Sequence, residues 1–377
     1  MNSNLRIVKE LEKIYDPFEF LKSYGIKFML YEDRMVLNYD QIDSHSHRHI
    51  DFVKECRGLI LEWPSYNVLC RSFDRFFNYG EDPRSNKFNI GKSICMEKID
   101  GSLLNVYHDG KEWQCATRGM AFAEGETRHP EYTFRKIFME AINSTNLNET
   151  FKDFNKDFTY IFEVVSSITR VVKLYPGINT YALAIRNKYD GSWIPTVEAI
   201  DYITSAIPTV LKPSIHTFEN LDSIMENFKD LPAFDEGYVC MIEDDETKSV
   251  WRVKVKNPSY LAIAHIRQDG NLSEKSIVKL VFTNDHEEYL SMFPEDRKFF
   301  NPYIGAFNRM MKEVDNLYSR VEHIIDQKEY ALKVKNHGCC GILFMMKKGK
   351  TLSEIFDRMT VNGKVEIVKK YMKEKDK

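Results

Sequence analysis

Short runs of β-branched and aromatic residues follow one another from about residue 27 to residue 255, and then they stop. Runs of this kind between turn residues predict strands, here over 27–31, 57–62, 67–71, 93–96, 103–107, 114–117, 159–165, 180–185, 237–242 and 250–255. Asp109-Gly110 supplies a turn between two of them, and Tyr189-Asp190-Gly191 marks another break. Helical spacing precedes the runs over 5–24 (Leu5, Val8, Leu11, Ile14, then Phe18 and Leu21) and interrupts them near 130–142, 197–206 and 218–228. From Pro258 onward the spacing is helical, over 258–266, 273–282, 303–333 and 351–373. The expected fold class is therefore α+β, with a β-rich domain over 1–257 and an all-α C-terminal domain over 258–377.

With 43% hydrophobic and 29% charged residues in 377, the chain can bury a full core and is not of disordered composition. No stretch approaches 18 apolar residues, so no membrane span is expected. Met1-Asn2-Ser3-Asn4-Leu5 lacks the apolar centre of a secretory signal. The seven cysteines form no CxxC pair, and most lie in apolar runs, Cys339-Cys340 included, as free thiols of a reducing cytoplasm would. The net charge of −3 argues against a general nucleic-acid coat. From Asn257 on, however, there are 21 basic against 17 acidic residues, and from Gln327 on 13 against 6. Such a segment suits phosphate contacts, although a solvated helical face is the commoner meaning of a charge run.

The sharpest local signal is Glu97-Lys98-Ile99-Asp100-Gly101-Ser102, at the end of one predicted strand and before another. A lysine amine attacks the α-phosphate of a nucleotide when it is neutral and held in line with the leaving pyrophosphate. Asp100 and Gly101 make a tight turn that exposes the amine and lets backbone approach a ligand. Alone, this is also an ordinary β-turn. Ordered around it are Arg57 in Glu55-Cys56-Arg57-Gly58, then Arg71-Ser72-Phe73-Asp74-Arg75-Phe76-Phe77-Asn78, Glu163 in Phe162-Glu163-Val164, Glu236 in Glu236-Gly237-Tyr238-Val239, and Lys254-Val255-Lys256. Each residue singly reads as a surface arginine or a half-exposed strand, except Lys98 and Glu163, the latter a carboxylate in an apolar run that needs a partner. Taken in order, cations for phosphates and carboxylates for ribose and hydrated Mg²⁺ are what a nucleotidyl transferase requires.

This series resembles the motifs of the bacteriophage RNA ligase 1 (tRNA-repair) family, within the covalent nucleotidyltransferases that include DNA ligases and mRNA capping enzymes. The resemblance covers about the first 260 residues by motif and the helical tail by character. It implies a nucleotidyltransferase (ATP-grasp-like ligase) β-sheet core and ATP-dependent joining of RNA with 3′-OH and 5′-phosphate ends, such as a nicked tRNA anticodon loop. It further implies that Lys98 becomes lysyl-N-AMP, that Arg57 and Arg75 meet the phosphates with Phe77 beside them, and that Lys254 and Lys256 grip the α-phosphate. Glu97, Asp100, Gly101 and Tyr260 complete the nucleotide site, and Arg118 positions the RNA 5′-phosphate. Glu163 and Glu236 are implied for ribose and Mg²⁺, and a second Mg²⁺ would need carboxylates such as Glu287 and Glu288, otherwise a helix N-terminus. Two positions depart from the pattern: Arg75 stands where lysine is frequent, and Leu37 where an aromatic is expected.

A DNA ligase or a GTP-using capping enzyme would turn β-rich after Lys256, whereas this chain turns helical. A catalytically silent RNA-binding protein would not be expected to keep Lys98, Glu163, Glu236, Lys254 and Lys256 together. No GxxxxGK[ST] motif accompanies the chain, so ready-made ends are expected. The histidines of Ser44-His45-Ser46-His47-Arg48-His49 lack helical metal-ligand spacing and read as solvated surface or an RNA contact. A monomer in the cytoplasm, the host's if the chain is phage-encoded, completes the expectation.

Overall fold

A computed structural model describes residues 4–125, 127, 131–169, 173–232, 235–265, 272–292 and 294–372. The chain divides into two compact units, Met1–Tyr39 with Ser46–Tyr260, and Asp40–His45 with Leu261–Lys377.

The first unit carries three antiparallel four-stranded sheets. One runs β1 (Ile26–Leu30), β2 (Arg34–Tyr39), β3 (Arg57–Glu62), β4 (Val68–Cys70). A second is ordered β10 (Ile215–His216), β5 (Ile94–Glu97), β11 (Gly237–Asp244), β12 (Ser249–Lys256). The third is ordered β7 (Trp113–Thr117), β6 (Ser102–His108), β8 (Phe158–Ser166), β9 (Ile178–Asn187). Met96, Val239 and Met241 of the second sheet share one core with Leu104, Val106, Phe162 and Val164 of the third. The helices Phe134–Ala141 and Thr196–Ala206 cover that core with Ile137, Phe138, Ile200 and Ile203. Burying the two sheets against each other fixes β5, β8, β11 and β12 relative to one another, with Glu163 within β8 and Lys98, Glu236 and Lys256 at or next to the ends of β5, β11 and β12.

The sequence gives no sign of β2, because Met35, Val36 and Leu37 are all buried. Met35 and Leu37 enter the core under the N-terminal helices, while Val36 meets Tyr107 and Ala116 of the third sheet. A strand covered on both faces loses the period-2 alternation that marks a half-buried one. The helix expected over 5–24 is two, Arg6–Leu11 and Pro17–Ser23. Asp16 caps the second, accepting from the Phe18 and Glu19 N–H groups at 3.1 and 3.0 Å, and Pro17 opens it.

The second unit is helical. Glu274–Thr283, Arg297–Val321, Gln327–Val334, Cys340–Lys347, Leu352–Arg358 and Val361–Met372 enclose a core that includes Phe282, Phe300, Phe307, Phe356 and Tyr371. Ile42 packs against this core from the Asp40–His45 segment. The helix expected over 303–333 divides where Asp326 caps a new one through the Glu329 N–H at 2.7 Å. Cys339 is buried in this core.

Phe162 is fully buried and its ring lies 5.2 Å from Phe138 and 6.3 Å from Phe151. Phe162→Ala is expected to lower unfolding free energy by about 3–5 kcal/mol, read as a lower urea midpoint.

Candidate active site

Lys98 follows β5, and its backbone N–H donates to the Gly237 carbonyl at 2.8 Å, which joins the turn to the start of β11. Its Nζ donates to Glu236 Oε2 at 2.6 Å, and Lys256 Nζ reaches Glu236 Oε1 at 2.8 Å. One carboxylate thus holds two lysines that lie 158 positions apart, by the numbering. Burial alone would raise the Glu236 carboxyl, but the Lys98 and Lys256 cations hold it down at about 2. Gly237 makes the crossing possible: with φ of 125°, a Cβ there would stand 2.3 Å from the Val255 carbonyl oxygen.

Asp100 is a buried anchor. The Tyr260 hydroxyl donates to its Oδ1 at 3.0 Å, and the Lys173 N–H donates to its Oδ2 at 2.6 Å. These bonds tie the turn after Lys98 to the chain at Tyr260. Gly101 sits where β6 starts beside β8, and a Cβ on it would lie 2.5 Å from the Val164 carbonyl oxygen. Glu163, paired across the strands with Leu103, lies next to this contact. Protein surrounds its carboxyl, and no described residue is seen to hydrogen-bond it. Burial first, and then the neighbouring Glu236 charge, push it up to about 8 against the pull of Lys98.

A set of cations gathers around Tyr39. The Arg75 guanidinium is 4.6 Å from the Tyr39 ring centre and 5.3 Å from that of Phe77, and Arg118 is 5.5 Å from Tyr39. Arg57 lies 5.8 Å from Phe76, and Lys254 lies 5.4 Å from the same ring. Arg57 and Arg75 each leave a buried Nη1 without a hydrogen-bond partner. Burial would raise the Tyr39 hydroxyl, but Arg57, Arg75, Lys254 and Arg118 together lower it. The parallel bridge from Asn78 to Lys254 and the hydrogen bond from the Lys254 N–H to the Phe77 carbonyl, at 3.0 Å, fix the phenylalanine segment on β12.

The structure therefore brings together Lys98, Glu236, Lys256, Glu163, Asp100, Gly101 and Tyr260 in one group, and Arg57, Arg75, Phe77, Arg118 and Lys254 in a second group of the same unit. Glu97 instead accepts a long hydrogen bond from the Ser214 N–H at 3.4 Å. Glu287 belongs to the helical unit, where Arg297 holds it at 3.0 Å, and the side chain of Glu288 lies outside the described residues. Leu37 is fully buried in the core, whereas Tyr39, after a register shift between Leu37 and Asn38, stands among the cations. Tyr39 was not anticipated from sequence, and the one signal for it was the aromatic expected two positions earlier. His49 pairs with Asp82 at 3.0 Å and lies 5.4 Å from Phe77, and no metal-binding group of three or more His, Cys, Asp or Glu is found among the described residues.

A family model described as RNA ligase matches residues 55–260, more than half of the chain. The chain belongs to the RNA ligase family. It is 30% identical over 303 residues to a protein of Autographa californica nuclear polyhedrosis virus named as a bifunctional polynucleotide kinase/RNA ligase. That match covers 76% of this chain and 41% of the viral protein, so the chain spans well under half of that relative. It is 22% identical over 331 residues to an RNA ligase of Rhodothermus phage RM378, covering 73% and 74% of the two. Among solved structures, an archaeal ATP-dependent RNA ligase is similar over 93% of this chain and 83% of its own, at 14% identity and a TM-score of 0.47.

The raised Glu163 carboxyl has a consequence for stability. A carboxyl that titrates near 8 when folded and near 4.5 when unfolded favours the folded state fully below pH 4.5, and this is lost as pH rises towards 8. The melting temperature of the ligand-free protein is expected to fall across that window more steeply than that of Glu163→Gln. Equal slopes from a thermal-shift series would remove the assignment.

Proposed function

We propose that the protein is an ATP-dependent RNA ligase that joins 3′-OH and 5′-phosphate RNA ends through lysyl-AMP and AMP-RNA. The observation that carries this reading is the Lys98–Glu236–Lys256 arrangement, a lysine held beside a second lysine by a shared, buried carboxylate. Lys98 Nζ, once deprotonated, attacks the α-phosphorus of ATP. The N–P bond forms as the P–O bond to pyrophosphate breaks, and Lys256 and Lys254 offset the charge that builds on the phosphate. AMP then passes to the RNA 5′-phosphate, freeing the amine, and a 3′-hydroxyl attacks that phosphorus and releases AMP. Arg57 and Arg75, whose Nη1 atoms have no hydrogen-bond partner among the described residues, are suited to the departing phosphates. Arg118, and Tyr39 beside it, suit the RNA 5′-phosphate.

The carboxyls also fit Mg²⁺. No donor to the Glu163 carboxyl is found among the described residues, and a small hard cation takes one or two carboxylates and leaves its other positions to water and phosphate. Glu163 and Glu236 would hold it, and when bound it neutralises phosphate charge. The helical unit would select the RNA, for which a nicked tRNA anticodon loop is the expected form, in a monomer working in the cytoplasm. No helix among the described residues is long and apolar enough to cross a membrane.

Incubation with α-labelled ATP and Mg²⁺ should give a labelled protein band that Lys98→Ala and Lys98→Arg both abolish, because a guanidinium stays protonated. Lys98→Ala should still join pre-adenylylated RNA to a 3′-hydroxyl, whereas Glu236→Ala should be poor in both reactions. Label retained in either Lys98 variant would refute the nucleophile.

Removal of the chain from Gln327 would cut through the helical core, which includes Tyr330, Leu343 and Phe356. Charge reversal is the cleaner test. Lys333, Lys335 and Lys348 are exposed on this unit. Their joint replacement by Glu should weaken binding of a stem-loop RNA, with a flatter salt dependence, while the yield of labelled protein is unchanged.

A further inference from the structure

A cavity of about 420 Å³ lies in the first unit beside Arg75 and Phe77, at the start of β12. Arg75 and Phe77, placed above with the nucleotide phosphates, line it together with residues that the adenylylation chemistry does not use, among them Arg84, Trp251 and Arg252. β12 is the last strand of its sheet. Its outer edge is closed at Lys254 by residues 77–79 and at Lys248 by the Trp193 N–H, which donates to the Lys248 carbonyl at 2.9 Å. The cavity is lined by Val250–Val253, between those two closures.

Side chains two apart on a strand share a face. Lys256, Lys254 and Arg252 therefore form one row of cations on β12, and Arg252 stands about 13 Å along the strand from Lys256. That is further than the linked phosphates of one ATP need. Arg252 is 7% exposed, and no ion pair or hydrogen bond of its guanidinium is found among the described residues. It rests on the Trp193 ring at 3.9 Å and on Phe73 at 5.0 Å. Burial, with the nearby Arg186 cation, pushes this guanidinium down to about 9. The carboxylates of Glu243 and Asp74 draw it the other way but are outweighed. Because a buried cation that is only partly compensated is costly, an anion entering the cavity would relieve it.

The acidic residues of the lining are engaged elsewhere, and Asp74, which does act on Arg252, is shared with Arg186. Asp51 is held by Arg6 at 2.5 Å and by Lys54 at 2.6 Å, and Asp74 by Arg186 at 2.8 Å. Glu55 accepts from the Arg6 and Ile7 N–H groups, and Asp82 pairs with His49. What is left facing the space is cationic, with Arg84 exposed at the mouth. It is also aromatic: Trp251, also lining the cavity, is 42% exposed. Its ring meets Phe88 at 5.1 Å between ring centres and stays part-exposed. Arginines beside a part-exposed aromatic ring are what a nucleotide of single-stranded RNA takes, phosphate on the cations and base on the ring.

The geometry points to this cavity as an RNA subsite, in which Arg252 and Arg84 bind a phosphodiester of the strand next to the reacting end and Trp251 stacks on a base. This assignment rests on the RNA ligase reading, and it adds a foothold for RNA on the catalytic unit itself. Arg252 acts there as an RNA-binding residue and takes no part in lysyl-AMP formation.

The test uses the full chain and a short, dye-labelled, 5′-phosphorylated single-stranded RNA, with binding followed by fluorescence anisotropy over a salt series. Arg84→Ala and Trp251→Ala alter exposed positions and leave the core intact, and Arg252→Gln probes the buried cation. Each should weaken RNA binding about tenfold, and Arg84→Ala should reduce the salt slope by about one. The ATP dependence of labelling and its inhibition by pyrophosphate should not move. If pyrophosphate inhibition weakens while RNA binding holds, the cavity serves the polyphosphate of ATP and the assignment is overturned. Unchanged RNA binding in Arg84→Ala and Trp251→Ala overturns it equally. A wild-type protein that takes no label from ATP, yet binds RNA in a manner these variants weaken, would remove the ligase reading and leave the subsite standing.

Discussion

The carboxylate of Glu236 meets Lys98 on one oxygen and Lys256 on the other, and the arrangement of the whole first unit serves that meeting. Strand β11 lies between β5 and β12, so the residue that opens β11 is flanked by the end of one neighbour and the end of the other. The register is tight: Gly237 pairs with Lys256, and Tyr238 with Glu97. Without the carboxylate, two ammonium groups would be left facing each other in a half-buried site, a loss on the order of 3–5 kcal/mol for a buried pair that loses one partner. With it, the amine is oriented and the second lysine stays beside the place where phosphate charge must be met.

The remaining cations are not balanced in the same way. Arg57 and Arg75 approach aromatic rings, whose faces offset only part of their charge, and each keeps a buried Nη1 with no hydrogen-bond partner among the described residues.

Much of this was legible in the sequence because the chemistry sits at strand ends. The β-rich texture, its end near residue 257 and the order Arg57, Lys98, Glu163, Glu236, Lys254 could be read without coordinates, since turn residues and alternation survive in one dimension. β2 could not be read, because it is covered on both faces. The two breaks in long helical patterns, at Asp16 and Asp326, were missed because capping residues are common and apolar spacing can continue across a cap. Tyr39 depends on a register shift that no pattern of residue types records. Glu97 and Glu287 each have a local partner, Ser214 and Arg297, which no pattern in the sequence records.

Asp40–His45 belongs to the helical unit although the residues on both sides of it belong to the other. Asp43 Oδ1 accepts from the Ser353 N–H at 3.2 Å, a separation of 310 residues. During synthesis this short segment leaves the ribosome long before the helices that receive it exist. Closing so long a loop costs little more than closing one half its length, since the entropy grows only logarithmically, but the partners must first be made. Translation order therefore makes the helices a prerequisite for seating this segment, and until they form Ile42 has no core to enter.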